Sequence, residues 1–401
     1  MFVRQNYRIY PNKDQQAILN QWLGCARFVW NHMLELNIKS YQETGKFIFV
    51  YDMNKMLPAM KKQNDTLWLK EAPAQGLQQK CQDLDTALKA SFKTAENRRG
   101  FPKFKSRKTD ESGIRMADYK IKDGKLFLPK IKSAIKIKID RNFLGRPGMI
   151  TVKKDRTGCW YASFTVDVGS RYDYRMPIAD IETAVGIDVG IKSFAVTSDG
   201  EVIENPRFLK RQMKKLKRRQ KELSRKQKGS SNREKARIRL TRLYKRISSQ
   251  RKDYIKQNAS AIAKLYDFIS VEDLNVSGME KNHCLAQAVM DVSFGMFINE
   301  LEWQCRKRGK HFHKIDRWFA SSKTCCHCGH IKSDLSLSDR TYECPACESK
   351  MDRDLNAAIN ILNKGLFDCG ININIPQELG KYTPARNEAA MVASEQETSV
   401  L

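Results

Sequence analysis

Apolar and polar residues alternate from Phe2 to Tyr10 (FVRQNYRIY), the period of a half-buried strand. Pro11-Asn12-Lys13 ends it. Asp14 stands where a helix cap is needed, ahead of Ile18, Leu19, Trp22, Phe28 and Trp30. Helical spacing returns over Asp52–Met60 and Ala74–Thr94. Asn97 to Lys108 (NRRGFPKFKSRK) then reads as a basic, aromatic loop punctuated by Gly and Pro. From Ile121 to Val168 the period is two. Lys125–Leu128, Ile135–Ile139, Met149–Val152 and Trp160–Val166 are predicted strands of an antiparallel sheet or small barrel. Arg171 to Glu182 reads as a linker.

From Thr183 the pattern mixes α and β. Val185-Gly186-Ile187-Asp188-Val189-Gly190 is an apolar strand holding one acid, and Ile191–Thr197 is a second strand. Asp199-Gly200 is a hairpin turn into a third strand at Glu201–Ile203. Leu209, Met213, Leu216, Gln220 and Leu223 share a helical spacing, as do Ala236, Leu240, Leu243 and Ile247. Gly229-Ser230-Ser231-Asn232 separates the two series, so 207–252 is predicted to be an antiparallel helical hairpin with a thin apolar seam. Tyr266 to Leu274 is a further apolar strand, ending in acids. From Gln377 the chain is polar with no periodic core, and a disordered tail over 377–401 is expected.

Charge changes this picture. The 401 residues carry 73 Lys+Arg against 45 Asp+Glu, a net +28. The predicted hairpin alone holds 21 Lys/Arg and two acids. Such self-repulsion calls for a polyanionic partner, so the hairpin is expected to contact nucleic acid. At 41% hydrophobic the chain can build real cores, and its length suits two to three domains. No stretch approaches the roughly 18 apolar residues of a membrane span. The first residues lack the apolar core of a signal peptide. A cytoplasmic protein with no membrane partner is therefore expected.

Three acidic motifs stand on regular elements. Asp188 lies in the first apolar strand, Glu272-Asp273 end the later one, and Asp352-Arg353-Asp354 open a helix whose Ala357, Ala358 and Ile361 can pack tightly on a sheet. A carboxylate in a buried strand is costly unless paired or bound to metal. Two strand acids and one helix acid form the carboxylate set of an RNase H-like nuclease. That set suits two Mg²⁺ ions, hard cations that take oxygen ligands. Neighbours on a strand face opposite ways, so only one of Glu272 and Asp273 can serve, and the residues alone leave that choice open. Asp352 and Asp354 pose the same choice.

Five of the eleven Cys lie between Cys325 and Cys347. Cys325-x2-Cys328 and Cys344-x2-Cys347 have the spacing of two knuckles around one structural Zn²⁺. Gly329 and Pro345 sit at the expected turns. Cys25, Cys81, Cys159, Cys284, Cys305 and Cys369 are expected in the core or as incidental residues. The zinc module lies between the second and third acidic motifs, which makes it an insertion in the nuclease domain.

As an ordered set these motifs resemble the TnpB family, RNA-guided nucleases of insertion sequences that are similar to the smallest type V CRISPR effectors. The resemblance rests on G-I-D-V-G-I-K at Gly186–Lys192, V-E-D-L at Val271–Leu274 and S-S-K-T-C-C-H-C-G at Ser321–Gly329. C-P-A-C at Cys344–Cys347 and D-R-D-L-N-A-A-I-N-I at Asp352–Ile361 complete it. The Cys325-Cys326 doublet departs from the family pattern. The resemblance implies Asp188, Glu272 and Asp354 as catalytic Mg²⁺ ligands. It implies a multidomain α+β fold with a split β-barrel wedge domain (1–10 and 120–180) and a helical recognition domain (11–119). An RNase H-like (RuvC) nuclease domain (181–318 and 349–376) and a zinc-binding module (319–348) would follow.

The resemblance also implies an element-derived guide RNA and a double-stranded DNA target, bound by a monomeric ribonucleoprotein at the nucleoid of a prokaryote. A target-adjacent motif would be read from Tyr51 to Lys55 and from Leu77 to Lys80. The nucleic-acid contacts so expected are Tyr51, Lys55, Gln78, Gln79, Lys80, Lys103, Lys105, Lys214, Lys215, Arg218 and Arg219. The alternatives are an RNA-guided DNA-binding regulator without cleavage, and an unguided nuclease or transposase.

Overall fold

The structure is a computed structural model that describes residues 1–92, 100–107, 113–279, 286–336 and 339–372. The expected tail at 377–401, Asn97–Arg99, Lys108 and Cys284 lie outside the described residues. The chain divides into two compact units. The first is Met1–Arg171 with Lys228–Arg242, and the second is Tyr172–Gln227 with Leu243–Leu401.

The first unit opens with β1 (Phe2–Tyr10), followed by α1 (Lys13–Thr44), α2 (Val50–Met60) and α3 (Ala74–Ser91). Asn12, not Asp14, caps α1. Its side chain accepts the Gln15 N–H at 2.8 Å while the Gln15 side chain accepts the Asn12 N–H at 2.9 Å. Pro11 fixes the extended entry, so the capping box forms two residues earlier than the acid suggests. The strands β2 (Ile114–Met116), β3 (Lys120–Lys122), β4 (Lys125–Phe127), β5 (Ile135–Lys138), β6 (Arg146–Lys154) and β7 (Trp160–Asp167) join β1. They form one antiparallel sheet in the order β2-β6-β7-β1-β5-β4-β3. β2 and β3 have three residues each, too few for an alternation to stand out in the sequence. Tyr7 and Ile9 point from β1 into the core beside Phe164, with Tyr7 and Phe164 edge to face.

In the second unit β8 (Ala184–Val189), β9 (Ser193–Thr197) and β10 (Val202–Glu204) form an antiparallel meander. The basic helices α4 (Phe208–Ser224) and α5 (Ser231–Leu265) follow, α5 belonging to this unit from Leu243 onward. α5 runs past the predicted end at Lys252 because Ile255, Ala259 and Ile262 continue its buried stripe. Next come β11 (Phe268–Glu272), α6 (Val276–Met279), α7 (Ala286–Val292), α8 (Phe294–Arg308) and β12 (His311–Ile315). The short hairpin β13 (Thr341–Glu343) and β14 (Lys350–Asp352) leads into α9 (Arg353–Asp368).

The five-stranded sheet has the order β10-β9-β8-β11-β12, with β11 parallel to both β8 and β12. Val185, Ile187, Ile269 and Val271 face a core built with Ala259 and Ile262 of α5 and Phe297 and Leu301 of α8. The alternate residues face α9. Phe268 packs there with Leu362 and Leu366, and Gly186 lies against the α9 backbone. The fold is mixed α and β, as expected.

Candidate functional site

The period of two places the strand acids. Gly186 faces α9, so Asp188, two residues on, faces the same side. In β11, Phe268 and Ser270 face α9, and Glu272 continues that row, whereas Asp273 does not. The β8–β11 register pairs Ser270 with Gly186 and Val271 with Ile187. One further step along the strands sets Glu272 beside Asp188.

The helix acid follows from the α9 stripe. Asp354, Ala358, Ile361 and Gly365 are spaced by four, three and four, one face of a helix. Ala358 abuts Gly186, the Ile361 carbonyl accepts the Ser270 hydroxyl at 2.9 Å, and Gly365 lies against Ser270. Asp354 therefore opens the face that rests on β8 and β11. Asp352 is committed elsewhere. It is the N-cap, accepting the Asp354 and Leu355 N–H groups at 2.9 and 3.1 Å. Asp273 is committed too, in an ion pair with Arg317. In each pair the other acid thus has a partner of its own.

The electrostatics show the convergence. Burial pushes the Asp188 carboxyl up to about 7, and the negative charges of Glu272 and Asp354 push the same way, partly offset by Arg353. Burial also raises Glu272, against a hydrogen bond donated by Ser321. All three acids remain partly exposed, so the cluster is open to a substrate.

The four knuckle cysteines meet as the spacing predicts. The Sγ atoms of Cys325, Cys328, Cys344 and Cys347 all lie within 4.8 Å of one another. Two tight turns achieve this. Gly329 adopts φ +75°, and Glu348 holds φ +58° in the second knuckle, a position the sequence did not mark. Four thiolates at this reach can bind a structural Zn²⁺. Cys25, Cys81 and Cys305 are buried, and burial pushes the thiols of Cys81 and Cys305 up to about 12.

Two residues missed by the sequence reading join the cysteine module to α9. Asn356 donates to the Thr324 carbonyl at 2.7 Å and accepts the Cys326 N–H at 3.0 Å. Asn360 donates to the carbonyls of Ser321 and Thr324. Both are buried. Their signal was present in the sequence, since buried asparagines four apart on an otherwise apolar helix face need partners.

The expected nucleic-acid contacts divide. In the first unit Tyr51 is 67% exposed with Lys55 stacked 4.1 Å from its ring centre. Gln78 is exposed and Gln79 half-buried. Lys80 departs from the expectation. It is 2% exposed and paired with Asp83 at 3.1 Å, so its charge serves the packing of α3 instead of a solvent face. Lys103 is exposed, while Lys105 packs its ammonium 3.5 Å from the Trp30 ring. In the second unit Lys214, Lys215 and Arg218 stand exposed on α4, and Arg219 pairs with Glu222. Asp291 anchors α4 at its start by accepting the Leu209 N–H at 3.0 Å.

Comparison with known proteins extends these findings. Residues 164–283 match a family described as "Probable transposase", residues 294–361 a "Cas12f1-like, TNB domain" and residues 1–46 a "Helix-turn-helix domain". A "Putative RNA-guided DNA endonuclease" of Streptomyces pristinaespiralis is 33% identical over 93% of this chain and 92% of its own. The "Putative RNA-guided DNA endonuclease InsQ" of Escherichia coli K12 is 28% identical over 91% of this chain and 93% of its own. Among solved structures, that of the Cas12f1–sgRNA–target DNA complex aligns with 19% identity and a TM-score of 0.36, over 90% of this chain and 99% of that one. Among the described residues no helix is long and apolar enough to cross a membrane.

Proposed function

From the premise that this chain belongs to the TnpB family, we propose that it is an RNA-guided DNA endonuclease of an insertion sequence. The observation that carries this reading is the convergence of Asp188, Glu272 and Asp354 on one face of the five-stranded sheet. The donors are all carboxylate oxygens, which suits a hard divalent cation. Burial, with the negative charges of Glu272 and Asp354 beside it, lifts Asp188 to about 7, and a bound cation would relieve that cost. Bound there, a pair of Mg²⁺ ions would stabilise the attacking and leaving oxygens of a phosphodiester.

The chain's own residues supply the rest. Asp188, Glu272 and Asp354 would hold the metals. Ser321 fixes the Glu272 carboxylate through its hydrogen bond. Arg353, beside the cluster, offsets part of its charge. Zn²⁺ on Cys325, Cys328, Cys344 and Cys347 would be structural, because four protein thiolates leave no open position for water. The basic face of α4, with Lys214, Lys215 and Arg218, is suited to a nucleic-acid backbone, and Tyr51 and Lys55 offer an aromatic and cationic surface. A guide RNA then supplies sequence choice by base pairing while the protein grips the backbone.

The test begins with sequencing RNA that co-purifies from cells carrying the native locus. A dominant species whose variable end matches DNA flanking the element is expected. The protein loaded with that RNA should cut matching duplex in Mg²⁺, and Asp188→Ala should abolish cutting. Equal cutting by Asp188→Ala would overturn the metal-site assignment. Heterogeneous RNA together with cutting by RNA-free protein would overturn the guided reading.

A further inference from the structure

β12 delivers the chain from Ile315, which pairs with Glu272 in the β11–β12 register, into a short loop. Two anchors hold this loop against the acidic cluster. Arg317 ion-pairs with Asp273, the residue after Glu272. Ser321 donates to Glu272 itself. Between the anchors the backbone is tied down again. The Phe319 N–H donates to the Asp316 carbonyl at 3.1 Å, the Ser321 N–H to the Phe319 carbonyl at 2.9 Å, and the Trp318 N–H to the Asp316 carboxylate at 2.7 Å.

The side chain that this fastened loop presents is Trp318, 86% exposed, the most exposed large hydrophobic among the described residues. An indole in water forgoes the large apolar burial that usually places Trp inside. Three residues of chain bring its Cα within about 11 Å of the Ser321 Cα. Asp316 and Arg317 beside it are charged and exposed. The loop therefore offers a single aromatic face and not an apolar patch for a protein partner. The Arg317 charge is already met by Asp273, so stacking, more than phosphate pairing, is what the loop can offer a nucleic acid.

We propose that Trp318 is a base-stacking platform at the nuclease site, holding the face of a DNA base that flanks the phosphodiester to be cut. The proposal deepens the nuclease reading above and rests on it for the identity of the strand. Stacking suits the task because every base has a π face, so the platform works on any target sequence.

The test uses the guide-loaded protein and its Trp318→Phe and Trp318→Leu variants. All three should melt alike, since the side chain is exposed. The first readout is quenching of 2-aminopurine fluorescence in a single-stranded oligodeoxynucleotide, with Ca²⁺ in place of Mg²⁺ to hold back cutting. The parent and Trp318→Phe should quench and Trp318→Leu should not. The second readout is cutting of matched DNA in Mg²⁺. Trp318→Leu should lose roughly tenfold in kcat/KM, mainly through KM, and Trp318→Phe should stay near the parent. Equal quenching by the parent and Trp318→Leu would overturn the proposal whether or not the protein cuts. A parent that fails to cut would sink the nuclease reading, and the difference in quenching would still decide the stacking.

Discussion

Gly186 of β8 lies so close to Ala358 of α9 that a Cβ on Gly186 would sit 2.1 Å from the Ala358 carbonyl oxygen. It would also meet the Leu362 N at 2.5 Å. The strand that carries Asp188 and the helix that carries Asp354 are therefore in backbone contact, two residues from one acid and four from the other. A second close approach repeats this on β11, where a Cβ on Gly365 would sit 2.2 Å from the Ser270 Oγ. The two glycines let one helix rest on both acid-bearing strands.

Gly186→Ala is expected to lift α9 off the sheet, since the obstructing atoms are backbone and cannot swing aside. Overpacking of this kind costs about 1–3 kcal/mol, and in a unit of this size about 2–4 °C of Tm for each kcal/mol. Cutting should fall further than stability does, because the shift separates Asp354 from Asp188. Melting curves beside cleavage rates check this, and a variant with parental Tm and rate would refute it. Gly365→Ala should be partly rescued by Ser270→Gly, which removes the side chain that it strikes.

Removal of zinc is expected to reach the carboxylates through Asn356 and Asn360. Both bind backbone groups of the segment that holds the first knuckle, and Ser321 of that segment binds Glu272. Elemental analysis is expected to find one zinc per chain, and Cys328→Ser should lower that content and reduce cutting. Asn360→Ala should keep the zinc and still lose activity, because two carbonyls lose their donor at a cost of about 1–3 kcal/mol. Full activity in zinc-depleted protein would show that the module and the acids are independent.

The sequence made the acids and cysteines legible for different reasons. Cysteine spacing is a local constraint, so C-x2-C pairs announce a knuckle before any fold is known. A lone acid in an apolar strand announces a cost that something must offset. Which acid of the strand pair faces the site was not local. For the strand pair it depended on Asp273 being taken up by Arg317, 44 residues away, whereas Asp352 is engaged locally as the N-cap of α9. Lys80 misled because its charge was read as a sign of exposure, although Leu77 and Leu84, three residues before and four after, place it on the buried face of α3. Asn356 and Asn360 were visible as polar residues in an apolar stripe, but their carbonyl partners lie 32 to 39 residues earlier. β2 and β3 escaped because a three-residue strand acquires its identity from its neighbours.

Acid should loosen the second unit through Asp267. Burial pushes its carboxyl up, but hydrogen bonds from the Thr183 hydroxyl and N–H, the Lys310 charge and the Glu182 N–H outweigh that and hold it below the usual 3.8. Its folded pKa is depressed, so its stabilising contribution is present above 3.8 and fades as pH falls through the lower folded value. Asp267→Asn should destabilise the protein near neutral pH and flatten the acid limb of the stability profile. Urea midpoints measured across that range check the sign, and an acid limb unchanged by the substitution would show that Asp267 does not set it.

The basic helix α4 should depend on one acid. Asp291 accepts the N–H groups of Leu209 and Lys210 and is paired with Arg251 at 3.1 Å, while only 9% exposed. It therefore serves as a remote cap, supplying negative charge to a helix N-terminus that lacks a capping side chain of its own. Asp291→Ala leaves both amides and the Arg251 guanidinium without that carboxylate. Hydrogen exchange at Leu209 and Lys210 should quicken by more than tenfold, and affinity for nucleic acid should fall as the Lys214, Lys215 and Arg218 face loses its fixed direction. Asp291→Asn can still accept from one amide but has no charge for Arg251, so it should fall between the two. If the alanine and asparagine variants exchange at the same rate, the cap contributes nothing and the ion pair alone anchors the helix.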